Sequence, residues 1–342
     1  MFDVITIGTA TRDIFLTSPV FKVLHDPEHL RKIGFPTGEA QCFTLGGKVE
    51  VDEPIFTFGG GAFNSATTFS RQGFKSAALI KVGRDETGKN ILSELKREKI
   101  TPLAIRAKNK TTAFSVVLLS SSGERTILVY RGASEDLKSK GISFNSLKSR
   151  WVYISPGKIS FEVIEKLFNY FSKNKTLIAF NPSRYYLEMR LNKLKPLLKK
   201  TKVVILNREE GAYLTGINYE NERSIFNKLD EAITGIAIMT DGNDGVMVSD
   251  GKNIYSSGIF KGKLIDRTGA GDAFGSGFVA GLMRQNLTPK AYNLKPIIEY
   301  AIRLGSANAT SVVERIGAQE GILTKEEFEK SKRWQKLQIK IN

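Results

Sequence analysis

The sequence predicts an α/β fold: a mostly parallel central sheet with helices on both of its faces. Two observations carry this. From residue 77 onward, apolar runs of strand length alternate with amphipathic segments of helical length. The runs are apolar at nearly every position rather than at every second one, as in strands buried on both faces. Length agrees, since 342 residues bury a substantial core, as one large domain or as one domain with a lid.

Taken in order, the chain opens with a strand over 2–8 that ends at Gly8. Residues 17–50 read as loops with short strands, because Pro19, Pro27 and Pro36 and several glycines interrupt them. Residues 41–58 read as a hairpin turning at Gly46 and Gly47. Three glycines at 59–61 follow its last strand (51–58), and a helix begins there, with Asn64 in its opening turn and Gly73 as its stop. Further strands are expected at 77–82, 151–154, 177–181, 203–206, 236–240 and 245–249. Helices are expected at 88–99, 161–173, 187–199, 209–215, 222–234 and 296–313. A second hairpin, 112–119 with 125–130, turns around 120–124, and the last dozen residues read as a surface helix or tail.

Composition narrows the function classes. Forty-one per cent hydrophobic and 25 per cent charged residues are ordinary for a soluble globular chain. The single cysteine, Cys42, allows no internal disulfide and suits a reducing compartment. The N-terminus has neither the basic nor the apolar region of a signal peptide, and no run approaches the ~20 residues of a membrane span. A cytoplasmic location is therefore expected, with no membrane partner. The net charge of +16 invites a nucleic-acid reading. However, the basic residues are spread through surface-like segments (94–99, 193–202, 325–340) without interleaved aromatics. A solubilising basic surface that also attracts anionic nucleotides fits better.

Several catalytic classes are excluded. There is no Gly-x-x-x-x-Gly-Lys-Ser/Thr loop and no His-Arg-Asp or Asp-Phe-Gly of protein kinases. The only histidines, His25 and His29, flank Pro27 in the early loop and lack a third ligand, which disfavours both a Ser-His-Asp mechanism and a metal site. Gly59-Gly60-Gly61 does not continue into the dinucleotide fingerprint.

The stretch 264–282, LIDRTGAGDAFGSGFVAGL, reads as a strand end, a glycine turn and a helix. The turn Gly269-Ala270-Gly271 lets the backbone close on a ligand, and the helix start gathers amide donors at one spot, an anion site. Asp272 stands in the first turn beside it. Alone, such an Asp is also the ordinary first-turn residue that the helix dipole favours. Beside a phosphate-sized anion hole it is placed to take a proton from a hydroxyl nucleophile.

The second glycine stretch, FGGGAFNSATTFSRQGFKSAALIKVG at 58–83, weighs toward that chemistry. Gly59, Gly60, Ala62, Asn64, Ala66, Gly73 and Gly83 fill every fixed position of one signature of the ribokinase-like (PfkB-type) carbohydrate kinases, and Gly269–Asp272 supply the other. The chain thus resembles that family over nearly its whole length. The resemblance implies an ATP-dependent kinase that phosphorylates a primary hydroxyl, with Asp272 as base and the 269–271 amides as anion hole. It implies that the acceptor is held by Asp13, Gly60, Gly61 and Asn64. It also implies that Asn207 and Glu210 (Asn-x-x-Glu) position Mg²⁺ and its waters, a reading compatible with Asn207 and Glu210 being a helix cap. Thr240, Gly242 and Gly245 would shape the nucleotide pocket, with Asn308 beside the adenine. Asp266 would support a monovalent cation such as K⁺, although Arg267 stands where the family often has threonine.

The family plan further implies a β lid over the acceptor (13–58 and 111–131) that often pairs between subunits, giving a homodimer. The α/β core would comprise 1–12, 59–110 and 132–342. The acceptor stays open at this point. A ribose- or fructose-like sugar and a ribonucleoside both present a CH₂OH. Phe21, Phe35 and Phe43 would stack on a base or belong to the lid core, and Arg131 or Arg184 would suit a sugar acid. Asn181 and Arg184 would face the transferred phosphate or form a surface turn. A non-catalytic sugar or nucleotide sensor and a basic nucleic-acid binder are the rivals from other classes.

Overall fold

The structure is a computed structural model and describes residues 1–35, 38–120, 125–285 and 294–341. The strands are β1 (Phe2–Gly8), β2 (Thr11–Thr17), β3 (Val23–His25), β4 (Glu39–Gln41), β5 (Ile55–Gly59), β6 (Ser76–Val82), β7 (Thr101–Arg106) and β8 (Phe114–Leu119). They continue with β9 (Arg125–Tyr130), β10 (Ser149–Ser155), β11 (Leu177–Phe180), β12 (Val203–Asn207), β13 (Ile236–Thr240), β14 (Val246–Ser249), β15 (Ile254–Ser257) and β16 (Lys340–Ile341). The helices are α1 (Pro27–Lys32), α2 (Gly61–Arg71), α3 (Glu86–Arg97), α4 (Phe161–Lys173), α5 (Arg184–Leu187) and α6 (Arg190–Leu198). Next come α7 (Arg208–Thr215), α8 (Glu222–Ala232), α9 (Ala270–Arg284), α10 (Lys295–Val313) and α11 (Lys325–Lys330).

Among the described residues the main sheet has ten strands in the order β16-β15-β14-β13-β12-β11-β10-β1-β6-β7. From β7 to β13 every pairing is parallel, and β14, β15 and β16 close one edge antiparallel. The parallel strands are apolar on both faces because helices cover both. On one face, Phe168, Phe171 and Leu197 pack against Ile154 and Phe180; on the other, Phe274, Phe278 and Ile302 pack against Tyr153 and Ile205. On that second face α9 lies against α10 at very short range, and a Cβ at Gly281 would stand 2.6 Å from the Cα of Ala301. Strand order reverses at β1, whose neighbours are β6 and β10. Ligands of open α/β sheets collect at such a reversal, beyond the carboxyl ends of the strands.

The second sheet has the order β5-β2-β8-β9. It is mixed, with β2 parallel to β8 and the other pairs antiparallel. Asp85 ties it to the core: its carboxylate caps α3 through Gly88 and accepts from both the backbone N–H and the hydroxyl of Thr112, each at 2.6 Å.

Three expectations are corrected. Residues 41–58 form no hairpin: β5 pairs with β2, while 42–54 carry no strand and are mostly exposed. A two-glycine turn there has no apolar face on either side to fix a register. The helix expected at 187–199 is split into α5 and α6, with Arg190 in a positive-φ conformation at the break. The C-terminal dozen is not a tail, since Trp334 and Leu337 are buried in the core and β16 adds to the sheet edge. In the second hairpin β8 and β9 pair as expected, and the turn residues 121–124 lie outside the described residues.

Candidate active site

Asp272 is the third residue of α9. The helix follows Gly269, which adopts φ +79°, a left-handed conformation that glycine enters without cost. A side chain there would also collide, with its Cβ 2.5 Å from the Cβ of Ala318. First-turn amides have no carbonyl one turn behind them. The Ala270 N–H bonds to the Arg267 carbonyl at 3.3 Å and the Gly269 carbonyl accepts from Ala273. Gly271 and Asp272 are then the first-turn amides directed out of the helix end. Gly269 supplies the left-handed turn that opens the 269–271 stretch expected as the anion hole.

The Asp272 carboxylate is held from behind. Asn64 Nδ2 donates to its Oδ2 at 2.9 Å, and Gln319 Nε2 donates to Asn64 Oδ1 at 3.2 Å. Asn64 and Gln319 are buried. An ionised carboxylate can only accept, so Asp272 sets Asn64 with its NH₂ toward it and leaves Asn64 Oδ1 to accept from Gln319. Burial pushes the Asp272 carboxyl above the ordinary aspartate range, while the Asn64 bond works in the opposite direction. A carboxylate held as an acceptor with raised basicity is suited to take a proton. Asn64, expected among the acceptor's ligands, is aimed at the base, and Gln319 was missed because the pair is 255 residues apart in sequence. Replacing Gln319 by leucine is expected to lower kcat by about 5–10-fold, the worth of one buried hydrogen bond. The KM for ATP should stay unchanged, and an unaltered kcat would refute the positioning role.

Asp13 lies within β2, opposite Thr57 on β5 and Ser115 on β8. It is buried, and Thr11 Oγ1 donates to its carboxylate at 3.0 Å. Burial pushes its carboxyl upward, the hydroxyls of Thr11 and Ser115 oppose this, and the charge of Asp266 adds to it. Gly60 is the N-cap of α2, and Gly61 opens the helix with its N–H on Thr9 Oγ1 at 3.2 Å.

Thr240, Gly242 and Gly245 line a cleft whose other side is Ser306, Ala309 and Thr310 of α10, and which also touches Ala270 and Gly271. The cleft therefore runs up to the start of α9. Asn308 does not reach it. Its side chain is fully buried and bonds to Thr68 Oγ1, the Ala273 carbonyl and the Leu323 N–H. On α10 the cleft-facing positions are 306, 309 and 310, and residue 308 turns toward α2 instead. A roomier groove of about 470 Å³ at the β14–β16 edge includes Arg223, Asp244 and Gln338 but neither Asp272 nor the glycine turn.

Asn207 and Glu210 form a reciprocal capping box on α7, with Asn207 Oδ1 accepting from the Glu210 N–H at 2.7 Å and Glu210 Oε2 accepting from the Asn207 N–H at 2.9 Å. Burial pushes the Glu210 carboxyl up to about 7, with the charges of Glu209 and Asp272 adding to it. Glu210 therefore places a second acidic side chain within electrostatic reach of Asp272. Among the described residues no cluster of three or more His, Cys, Asp or Glu could hold a metal ion. Asp266 is fully buried, and Arg267 is exposed. Arg184 pairs with Glu188 on the surface and Arg131 with Glu135, so neither shows a partner in the site. Phe21 is buried against Phe43.

The profile of the pfkB family carbohydrate kinases matches residues 32–325. The chain belongs to that family. It is 28% identical over 259 residues to an uncharacterized sugar kinase of Archaeoglobus fulgidus, covering 74% of this chain and 97% of the relative. It is 27% identical over 278 residues to a ribokinase of Haemophilus influenzae, covering 79% and 85%. The nucleoside kinase of Methanocaldococcus jannaschii shares the fold with a TM-score of 0.71 over 98% of both chains at 20% identity. The chain is accordingly a phosphotransferase of the ribokinase-like carbohydrate kinases. Among the described residues no helix is long and apolar enough to cross a membrane.

Proposed function

We propose that this kinase transfers the γ-phosphate of ATP to a primary hydroxyl of a ribose- or fructose-like sugar. One observation carries the reading. Asp272 stands at the start of α9, where the cleft between the Gly242–Gly245 turn and α10 ends, with its carboxylate oriented by Asn64. ATP in that cleft would direct its terminal phosphate at the Gly271 and Asp272 amides. The acceptor would lie between Asp272 and Asp13, with the Gly60-Gly61 turn at its side. Asp272 takes the proton as the hydroxyl attacks in line, and the helix end stabilises the charge that builds on the phosphoryl oxygens. Mg²⁺, when bound, neutralises charge on the phosphates, and Glu210 would hold its waters with Asn207 fixing that carboxylate.

The outer face and edge of the lid sheet are apolar: Phe56, Leu128 and Val129 are each about half exposed. A second copy of the lid is the partner that such an unpaired edge suits. Sedimentation of the intact chain reads this directly, and a monomer at micromolar concentration would overturn the homodimer.

ADP release from ATP and Mg²⁺ across sugars, sugar acids and ribonucleosides tests the acceptor. Turnover with a pentose or hexose is expected. Turnover confined to nucleosides would replace the sugar reading with a nucleoside kinase, and steep salt-sensitive binding to DNA or RNA without turnover would favour the nucleic-acid binder.

A further inference from the structure

We infer that Arg125 is a built-in cation for the anion turn, so that this kinase needs no monovalent metal ion there. The inference rests on the kinase reading and concerns the same site. Asp266 lies in the loop that leads into Gly269, and that loop is tied to the end of α10 by the Ile265 and Asp266 N–H groups on the Val313 carbonyl. The Asp266 side chain has no exposure. Its Oδ1 accepts from the Thr268 N–H at 2.9 Å and the Thr268 hydroxyl at 2.7 Å, and its Oδ2 accepts from the Gly317 N–H at 3.1 Å. These donors are neutral, and a buried carboxylate with neutral donors alone remains an uncompensated charge.

The compensation comes from the lid. Arg125, the first residue of β9, places Nη1 3.8 Å from Asp266 Oδ1, with its side chain about three-quarters buried. Arg267, the basic residue next in sequence, is exposed. With Oδ1 taken by the two Thr268 donors and faced by Arg125, a K⁺ ion would reach Asp266 only at the remaining lone pair of Oδ2. It would also sit against a guanidinium that stays charged at every working pH. The residues present do not fit a monovalent ion; they fit an arginine. Arg125 is thus a positioning residue: through Asp266 it holds the approach to Gly269, and with it the helix start that faces the phosphate.

The test compares wild type, Arg125→Met and Arg125→Lys in K⁺, Na⁺ and tetramethylammonium at constant ionic strength. Melting temperature with ATP and Mg²⁺ is read first, because it requires no acceptor, and turnover second. Wild type is expected to melt at the same temperature in all three salts and to vary by less than about twofold in turnover. Arg125→Met is expected to lose more than about tenfold in tetramethylammonium and to recover turnover and melting temperature in K⁺ specifically, with Arg125→Lys close to wild type. Two results would overturn the inference: a K⁺-specific rise in the melting temperature of wild type, or an Arg125→Met protein indistinguishable from wild type in every salt. A chain that phosphorylates nothing would instead overturn the kinase reading, and the melting comparison would still decide the role of Arg125.

Discussion

Asp272→Asn is expected to lower turnover by about 10²–10⁴-fold, the usual worth of a positioned general base, with ATP affinity undiminished. Asparagine keeps the size of the side chain and can still face Asn64, so the loss isolates the proton-accepting role. The pH profile carries a second signature. Burial raises the Asp272 carboxyl, so the acidic limb of kcat/KM should lie above the ~3.9 of an unperturbed aspartate, with activity rising as the carboxyl ionises. The linkage to stability has the opposite sense. With the folded-state pKa above the unfolded one, the group's contribution is fully present below ~3.9 and is lost as pH rises through the raised value. Asp272→Asn removes that loss and should melt no lower than wild type at neutral pH. An inactive variant that is equally or more stable marks a residue kept for chemistry. Near-normal turnover would remove Asp272 as the base.

Gly269→Val should damage both fold and activity. The position has φ +79°, and any Cβ there would meet Ala318 at 2.5 Å. Left-handed backbone for a β-branched residue and overpacking each cost about 1–3 kcal/mol, so about 2–6 kcal/mol of stability is at stake. Whatever variant folds would have the start of α9 displaced. A shift of about 1 Å at a reacting centre costs on the order of 10²-fold in rate. Melting temperature and kcat measured together check this. If both stayed near wild type, the tight turn would not be what positions the amides.

Much of the frame was legible because its signals are local. Continuous apolar runs gave the parallel strands, and the glycine turns at 59–61 and 269–271 marked two helix starts that the fold brings together at the reversal of strand order. Contacts that join distant segments left no local trace. The hydrogen bond from Gln319 to Asn64 and the ion pair of Arg125 with Asp266 link residues that no periodicity relates. Asn308 was misplaced for a related reason: a helix position shows its type in sequence but not its azimuth, and residue 308 faces α2 while 306, 309 and 310 face the cleft. Residues 41–58 misled because the partner of β5 is β2, which lies some forty residues earlier in the chain.

The most direct test of the account is a single turnover. Enzyme preloaded with γ-labelled ATP and Mg²⁺ is mixed with the acceptor that turns over best, and the label is followed in wild type and in Asp272→Asn at matched ATP occupancy. Label is expected on the acceptor hydroxyl in wild type and is expected to stay on ATP in the variant. Transfer by Asp272→Asn at the wild-type rate, or label passing only to water, would contradict it.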